Sequence, residues 1–158
     1  TQSSSSAASD FYKRQVFVAH CPESNANLSS GVAPVKNYLK KGMKVGLGSD
    51  LAAGSTLSLF KAMSMAVQCS KLRWRLYDQS VEPLTMEEAF YMATKGGGEF
   101  FGKVGCFEEG YEFDAVVLDD TSMRTPQKVS VKERLERLMY LADHPTIVAK
   151  FINGVKVL

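Results

Sequence analysis

Apolar positions change rhythm along the chain. Val16-Phe17-Val18-Ala19 is a short continuous apolar run rich in β-branched and aromatic residues, which predicts a strand covered on both faces. A polar loop, His20-Cys21-Pro22-Glu23-Ser24-Asn25, follows it. Pro34 then opens a short helix as a first-turn proline does, with Val35, Tyr38 and Leu39 on one face and Gly42 as its stop. Met43-Lys44-Val45-Gly46-Leu47-Gly48 predicts a second strand, again followed by a polar loop, Ser49-Asp50-Leu51-Ala52-Ala53-Gly54-Ser55. Leu59, Phe60, Met63, Ala66 and Val67 recur at helical spacing and predict a helix from Thr56 to Lys71. Thr85-Met86-Glu87-Glu88 reads as a capping box opening another helix, with Met86, Ala89, Phe90 and Ala93 on its buried face. Gly96-Gly97-Gly98 predicts a break between helices. Residues 15–102 thus alternate strand, loop and helix, the pattern of an α/β fold with a parallel sheet and helices outside.

After Gly102 the texture changes. Residues 105–114 are rich in turn formers, and Ala115–Leu118 predicts a strand. Ser130-Val131-Lys132-Glu133 is a second capping box, opening a helix with Leu135, Leu138, Met139 and Ala142 on one face. Ile147–Ile152, Asn153-Gly154 and Val155–Leu158 predict a hairpin, because Asn-Gly favours a type I′ turn. At the other end, residues 1–14 form a Ser-rich zone, Thr1–Ser9 reading as flexible leader and Asp10–Gln15 as the end of a helix. The expected divisions are therefore 1–14, 15–102 and 103–158.

Composition narrows the function classes. Nineteen Lys and Arg against 17 Asp and Glu leave a net charge of +2, too balanced to point to nucleic acid or a membrane surface. Lys71-Leu72-Arg73-Trp74-Arg75 is basic with one tryptophan, but with no second patch it reads as a solvated helix end. No apolar run approaches the roughly 18 residues of a membrane span. Three widely spaced cysteines, Cys21, Cys69 and Cys106, fit a reducing compartment such as the cytoplasm and do not make a disulfide framework. Two histidines, His20 and His144, are too few for a site built from several. Gly46-x-Gly48 starts a dinucleotide fingerprint that fails at Leu51. His20 and Cys21 are adjacent, so on a strand they face opposite ways and suit Cys–His catalysis poorly.

In parallel α/β folds chemistry collects at the carboxyl ends of strands. Two such ends carry ionisable groups, His20 and Asp50. Asp50 is suited to act as a hard ligand for zinc or iron, or as a base toward a metal-activated water, or simply as a turn or cap residue. His20 reads either as a hydrogen-bonded strand-end residue or as a ligand.

The wording of these loops carries a resemblance. Phe17–Asn25, Leu28–Val35 and Gly46-Leu47-Gly48-Ser49-Asp50 resemble the amidohydrolase superfamily, in the branch that deaminates purines and pyrimidines. Glu88–Thr94, Phe100–Gly105, Phe107–Ala115 and Arg134–Asp143 are similar in particular to the guanine deaminases within it. The resemblance runs in order over residues 16–158.

It implies a (β/α)8 metal-dependent hydrolase barrel flanked by a small β-sandwich. Residues 16–20 would be the seventh barrel strand, 43–48 the eighth, and the tail from about 103 part of the sandwich. The implied reaction is hydrolysis of guanine to xanthine and ammonia by a metal-activated hydroxide. The implied cofactor is one zinc per complete site, with iron the other candidate, not held tightly by this segment alone. Asp50 matches the strand-eight metal ligand that also orients the attacking hydroxide. His20 matches a strand-seven histidine near the site that is not a ligand. The family's His-x-His pair, its strand-five histidine with an acid/base glutamate and its strand-six histidine have no counterpart here, and His144 does not replace them. The expectation is a C-terminal part of a longer enzyme, inactive alone. Its expected partners are a purine base and either a second copy, as a dimer, or the missing N-terminal portion. Neither nucleic acid nor membrane is expected. Two other readings stay open: a non-catalytic remnant serving in protein association, and an aminohydrolase for another purine or a pterin.

Overall fold

A computed structural model describes residues 16–141 and 146–158. The leader at 1–14, the helix end at 10–15, Ala142 and His144 lie outside the described residues.

Strands β1 (Phe17–His20) and β2 (Lys44–Leu47) pair in parallel, Val18 beside Val45 and His20 beside Leu47. Parallel strands need a crossover between them. Here it contains two short helices, α1 (Pro22–Asn27) and α2 (Val35–Lys40). The first corrects the sequence reading, which made residues 20–25 a loop. PESNAN has no apolar period, but Pro22 sits in the first turn beside Glu23, both favourable at a helix start. Gly42 ends the crossover at φ +68°, as a helix stop requires.

Helix α3 (Leu59–Leu76) follows β2 and runs five residues past its expected end at Lys71. The basic run therefore lies inside the last turns, where Arg73 and Arg75 suit the negative end of the helix. Arg73 also donates to the Val32 carbonyl at 2.9 Å. Helix α4 (Met86–Ala93) opens with the expected capping box, both reciprocal bonds between Thr85 and Glu88 being formed. The three glycines do not simply break the chain, because Lys95–Gly98 is a short helix, α5. Its glycines let backbone meet backbone. A Cβ on Gly96 would lie 2.8 Å from the Val45 carbonyl oxygen, and one on Gly46 2.9 Å from the Gly97 Cα.

Val45, Met63, Ala66, Val67, Met92 and Met139 form the centre of one apolar cluster, with Val18 and Leu47 packed against it. Met139 comes from α6 (Val131–Leu141), opened by Ser130 and Glu133 in the reciprocal bonds of a capping box. The remaining strands, β3 (Ala115–Asp119), β4 (Thr146–Ile152) and β5 (Val155–Lys156), form an antiparallel sheet in the order β3-β4-β5. Asn153 at φ +48° and Gly154 at φ +76° make the type I′ hairpin the sequence called for. The fold is α/β.

Candidate active site

Strand alternation separates the two singled-out residues. His20 is in register with Leu47 and shares a face with Val18 and Val45, which pack into the core. That face explains why His20 is 5% exposed and why burial lowers its pKa to about 4. It is a neutral imidazole on the helix side of the sheet. Cys21 follows with the opposite parity, its sulfur 2.9 Å from where a Cβ on Gly48 would stand. Burial and the Asp50 charge both push the Cys21 thiol up, away from the thiolate a nucleophile needs.

Asp50 stands just beyond the carboxyl end of β2 and is exposed. Its φ of +48° is unusual for a residue with a Cβ. The turn is over-determined by its bonds. The Asp50 carbonyl accepts from Gly54 N at 2.6 Å and from Ala53 N at 3.1 Å. Gly54 has no room for a side chain, because a Cβ there would lie 2.2 Å from the Ser49 carbonyl oxygen.

Helix α1 then clasps this turn from the neighbouring strand end. Ser24 Oγ donates to Asp50 Oδ2 at 2.6 Å. Asn27 Nδ2 donates to the Ala53 carbonyl at 2.6 Å, and the Ser55 hydroxyl donates to the Glu23 carboxylate. Sequence reasoning missed Ser24, Glu23, Asn27 and Ser55. Each partner lies 26 to 32 residues away, so only the pairing of β1 with β2 brings them together. The signal that was present is Pro22-Glu23, a helix start placed directly after a strand end.

Among the described residues Asp50 has one oxygen hydrogen-bonded, by Ser24, and no partner on the other, an arrangement that suits one ligand position on a hard or borderline cation. Among the described residues no group of three or more His, Cys, Asp or Glu side chains gathers around Asp50 or elsewhere. Among the described residues, Asp50 offers one such donor without the others a site would need. Among the described residues no helix is long and apolar enough to cross a membrane.

The amidohydrolase family pattern matches residues 4–157, nearly the whole chain. The chain belongs to the amidohydrolase family. Human guanine deaminase is 33% identical to it over 93% of this chain and 35% of that protein. The crystal structure of guanine deaminase from C. acetobutylicum with guanine bound superposes with a TM-score of 0.85 at 49% identity, covering 90% of this chain and 34% of that one. A zinc-bound variant of the atrazine chlorohydrolase TrzN from Arthrobacter aurescens is 25% identical with a TM-score of 0.71, over 90% of this chain and 31% of that one. The chain therefore spans about a third of the length of the relatives it matches.

Proposed function

We propose that this chain is the C-terminal part of a hydrolase that deaminates guanine, adding water across the amino-bearing ring carbon and releasing xanthine and ammonia. The observation that carries the reading is the structural likeness to a guanine deaminase that binds guanine, at 49% identity over 90% of this chain. On that reading β1 and β2 are the last two strands of a (β/α)8 barrel, residues 15–102 carry the barrel units, and residues 103–158 contribute to a flanking β-sandwich.

Asp50 is the residue of this chain that acts. Its position at a strand's carboxyl end is where barrel enzymes place chemistry, and its carboxylate is exposed on a turn fixed by backbone bonds. Bound zinc, or iron in its place, would acidify a water at the site. Asp50 would hold that cation with one oxygen and accept the proton that the water gives up. Ser24 keeps the other oxygen in place. His20 stays behind the sheet as a neutral side chain that backs β1. The described residues bring together no group of three or more His, Cys, Asp or Glu side chains, so on this reading the remaining ligands and the acid/base group come from outside this chain, and the chain alone is inactive and holds no metal tightly.

The test is the gene's full product against the 158-residue chain. The full product should release xanthine and ammonia from guanine and lose that activity in Asp50→Asn. Turnover by the isolated chain would overturn the division of the site. Turnover of another purine or a pterin in place of guanine would overturn the substrate.

A further inference from the structure

The three contacts between α1 and the Asp50 turn are not equivalent. Asn27 bonds to a backbone carbonyl and Glu23 to the Ser55 hydroxyl, so both hold the turn as a body. Ser24 bonds to the Asp50 carboxylate itself. An exposed aspartate side chain ordinarily samples several rotamers, and Asp50 is exposed. Ser24 is its opposite, only 4% exposed, between Glu23 and Asn27 on a helix clasped to the same turn. The Ser24 hydroxyl is thus a buried donor aimed at a carboxylate that is open to solvent within this chain. Its 2.6 Å separation from Oδ2 lies in the range of a charge-assisted O–H···O⁻ bond.

We infer that Ser24 is the positioning residue of the Asp50 carboxylate: it engages Oδ2 and leaves Oδ1 as the oxygen presented to the cation. This rests on the reading of Asp50 as a site residue given above. The bond does two things at once. It restricts the carboxylate to one orientation before anything binds, so that ordering is not charged to the binding step. It also draws charge toward Oδ2, which favours single-oxygen over two-oxygen contact with a cation. A latch whose only work was to join two loops would gain nothing from reaching the carboxylate, since Asn27 already joins them through the backbone.

The experiment uses the gene's full product, with zinc affinity measured by chelator competition and guanine turnover measured separately. Ser24→Ala should weaken zinc about tenfold and lower kcat by a similar factor with KM little changed. Ser24→Thr should restore both. Asn27→Ala should lower the melting temperature and leave zinc affinity and kcat near wild type. In an Asp50→Asn background, Ser24→Ala should produce no further loss of zinc affinity, because the bond it removes no longer has its carboxylate partner. If Ser24→Ala does not fold, Ser24→Thr against Ser24→Val, alike in shape and different in the hydroxyl, gives the same comparison. Equal effects of Ser24→Ala and Asn27→Ala would overturn the inference, as would a Ser24→Ala protein with wild-type zinc affinity. A full product that binds zinc but does not turn over guanine would sink the proposed substrate, while the zinc titrations would still decide the role of Ser24. A full product that binds neither zinc nor iron would overturn both.

Discussion

The parallel pair β1–β2 and the antiparallel sheet β3–β5 are held by different means. Val45, at the middle of β2, is 1% exposed, because α3 and α4 bring Met63 and Met92 against the sheet, while α6 packs on α3 and adds Met139 to the same cluster. In β3 the adjacent residues Val116 and Val117 are 50% and 45% exposed, and neighbours in a strand face opposite ways. Both faces of the small sheet therefore meet solvent within this chain. What gathers on it is a run of rings, Phe107 against Phe113 and Phe113 against Phe151, at 5.6 and 5.5 Å between centroids. The first region carries its own core and the second is mainly a backbone ladder. A strand pair becomes a stable platform for a loop such as that of Asp50 when intervening helices return to cover it.

The largest effects should come from breaking that core. Met92→Ala, at a side chain with 0% exposure, should cost about 2–5 kcal/mol in the full product, read as a lowered denaturant midpoint. Val117→Ala, in the exposed ladder, should cost about 1 kcal/mol or less. Equal losses at the two positions would mean that the ladder is covered as well as the core is.

The core face also makes its own pH dependence through His20. Its pKa is lowered from 6.5 to about 4 by burial, so the unfolded chain takes up a proton before the folded one does. The stability associated with neutral His20 is fully present above pH 6.5 and is lost as pH falls toward 4. The loss approaches about 3 kcal/mol at the low end. His20→Gln should flatten that part of the profile, measured as unfolding free energy against pH. A profile that keeps its slope between pH 6.5 and 4 in the variant would place the effect elsewhere.

Much of the fold was legible because it is local. Thr85 with Glu88, Ser130 with Glu133, Gly42, and Asn153-Gly154 are short-range devices, and all four form as read. The periodic apolar residues Met63, Ala66, Val67, Leu138 and Met139 are buried as read, while Leu59 and Phe90 on the same patterns are 37% and 39% exposed. Met92, off the expected stripe of α4, is fully buried, because α4 packs against both β2 and α3. The amidohydrolase membership was legible from the loop wording, and Asp50 was visible as a residue at a strand end. The clasp on Asp50 was not. Ser24 lies within the Phe17–Asn25 stretch that carries the resemblance, but nothing there names its partner, which is set by register between two strands. The crossing of Gly46 with Gly97 was hidden for the same reason, since neither glycine announces the other.

Two glycines show the same difference between the regions on a smaller energy scale. Gly98 lies in α5 against the body of the protein, and a Cβ there would stand 2.2 Å from the Val104 carbonyl oxygen. That oxygen is backbone, so Gly98→Ala must displace a chain segment and should cost about 1–3 kcal/mol. Gly154 sits in the β4–β5 turn with nothing within 4 Å of the added Cβ. The whole cost there is conformational: a φ of +76° is open to glycine and unfavourable to alanine by about 1 kcal/mol. The two variants thus separate crowding from backbone preference with the same added methyl. Asn is better tolerated than Ala at positive φ, so Gly154→Asn should recover most of the loss at the turn. Gly98→Asn should be worse than Gly98→Ala, because the larger side chain meets the same carbonyl. Thermal unfolding of the four variants reads both signs. A Gly154→Ala loss as large as that of Gly98→Ala would show that the turn is packed against something, and the small sheet would no longer be the open half of the molecule.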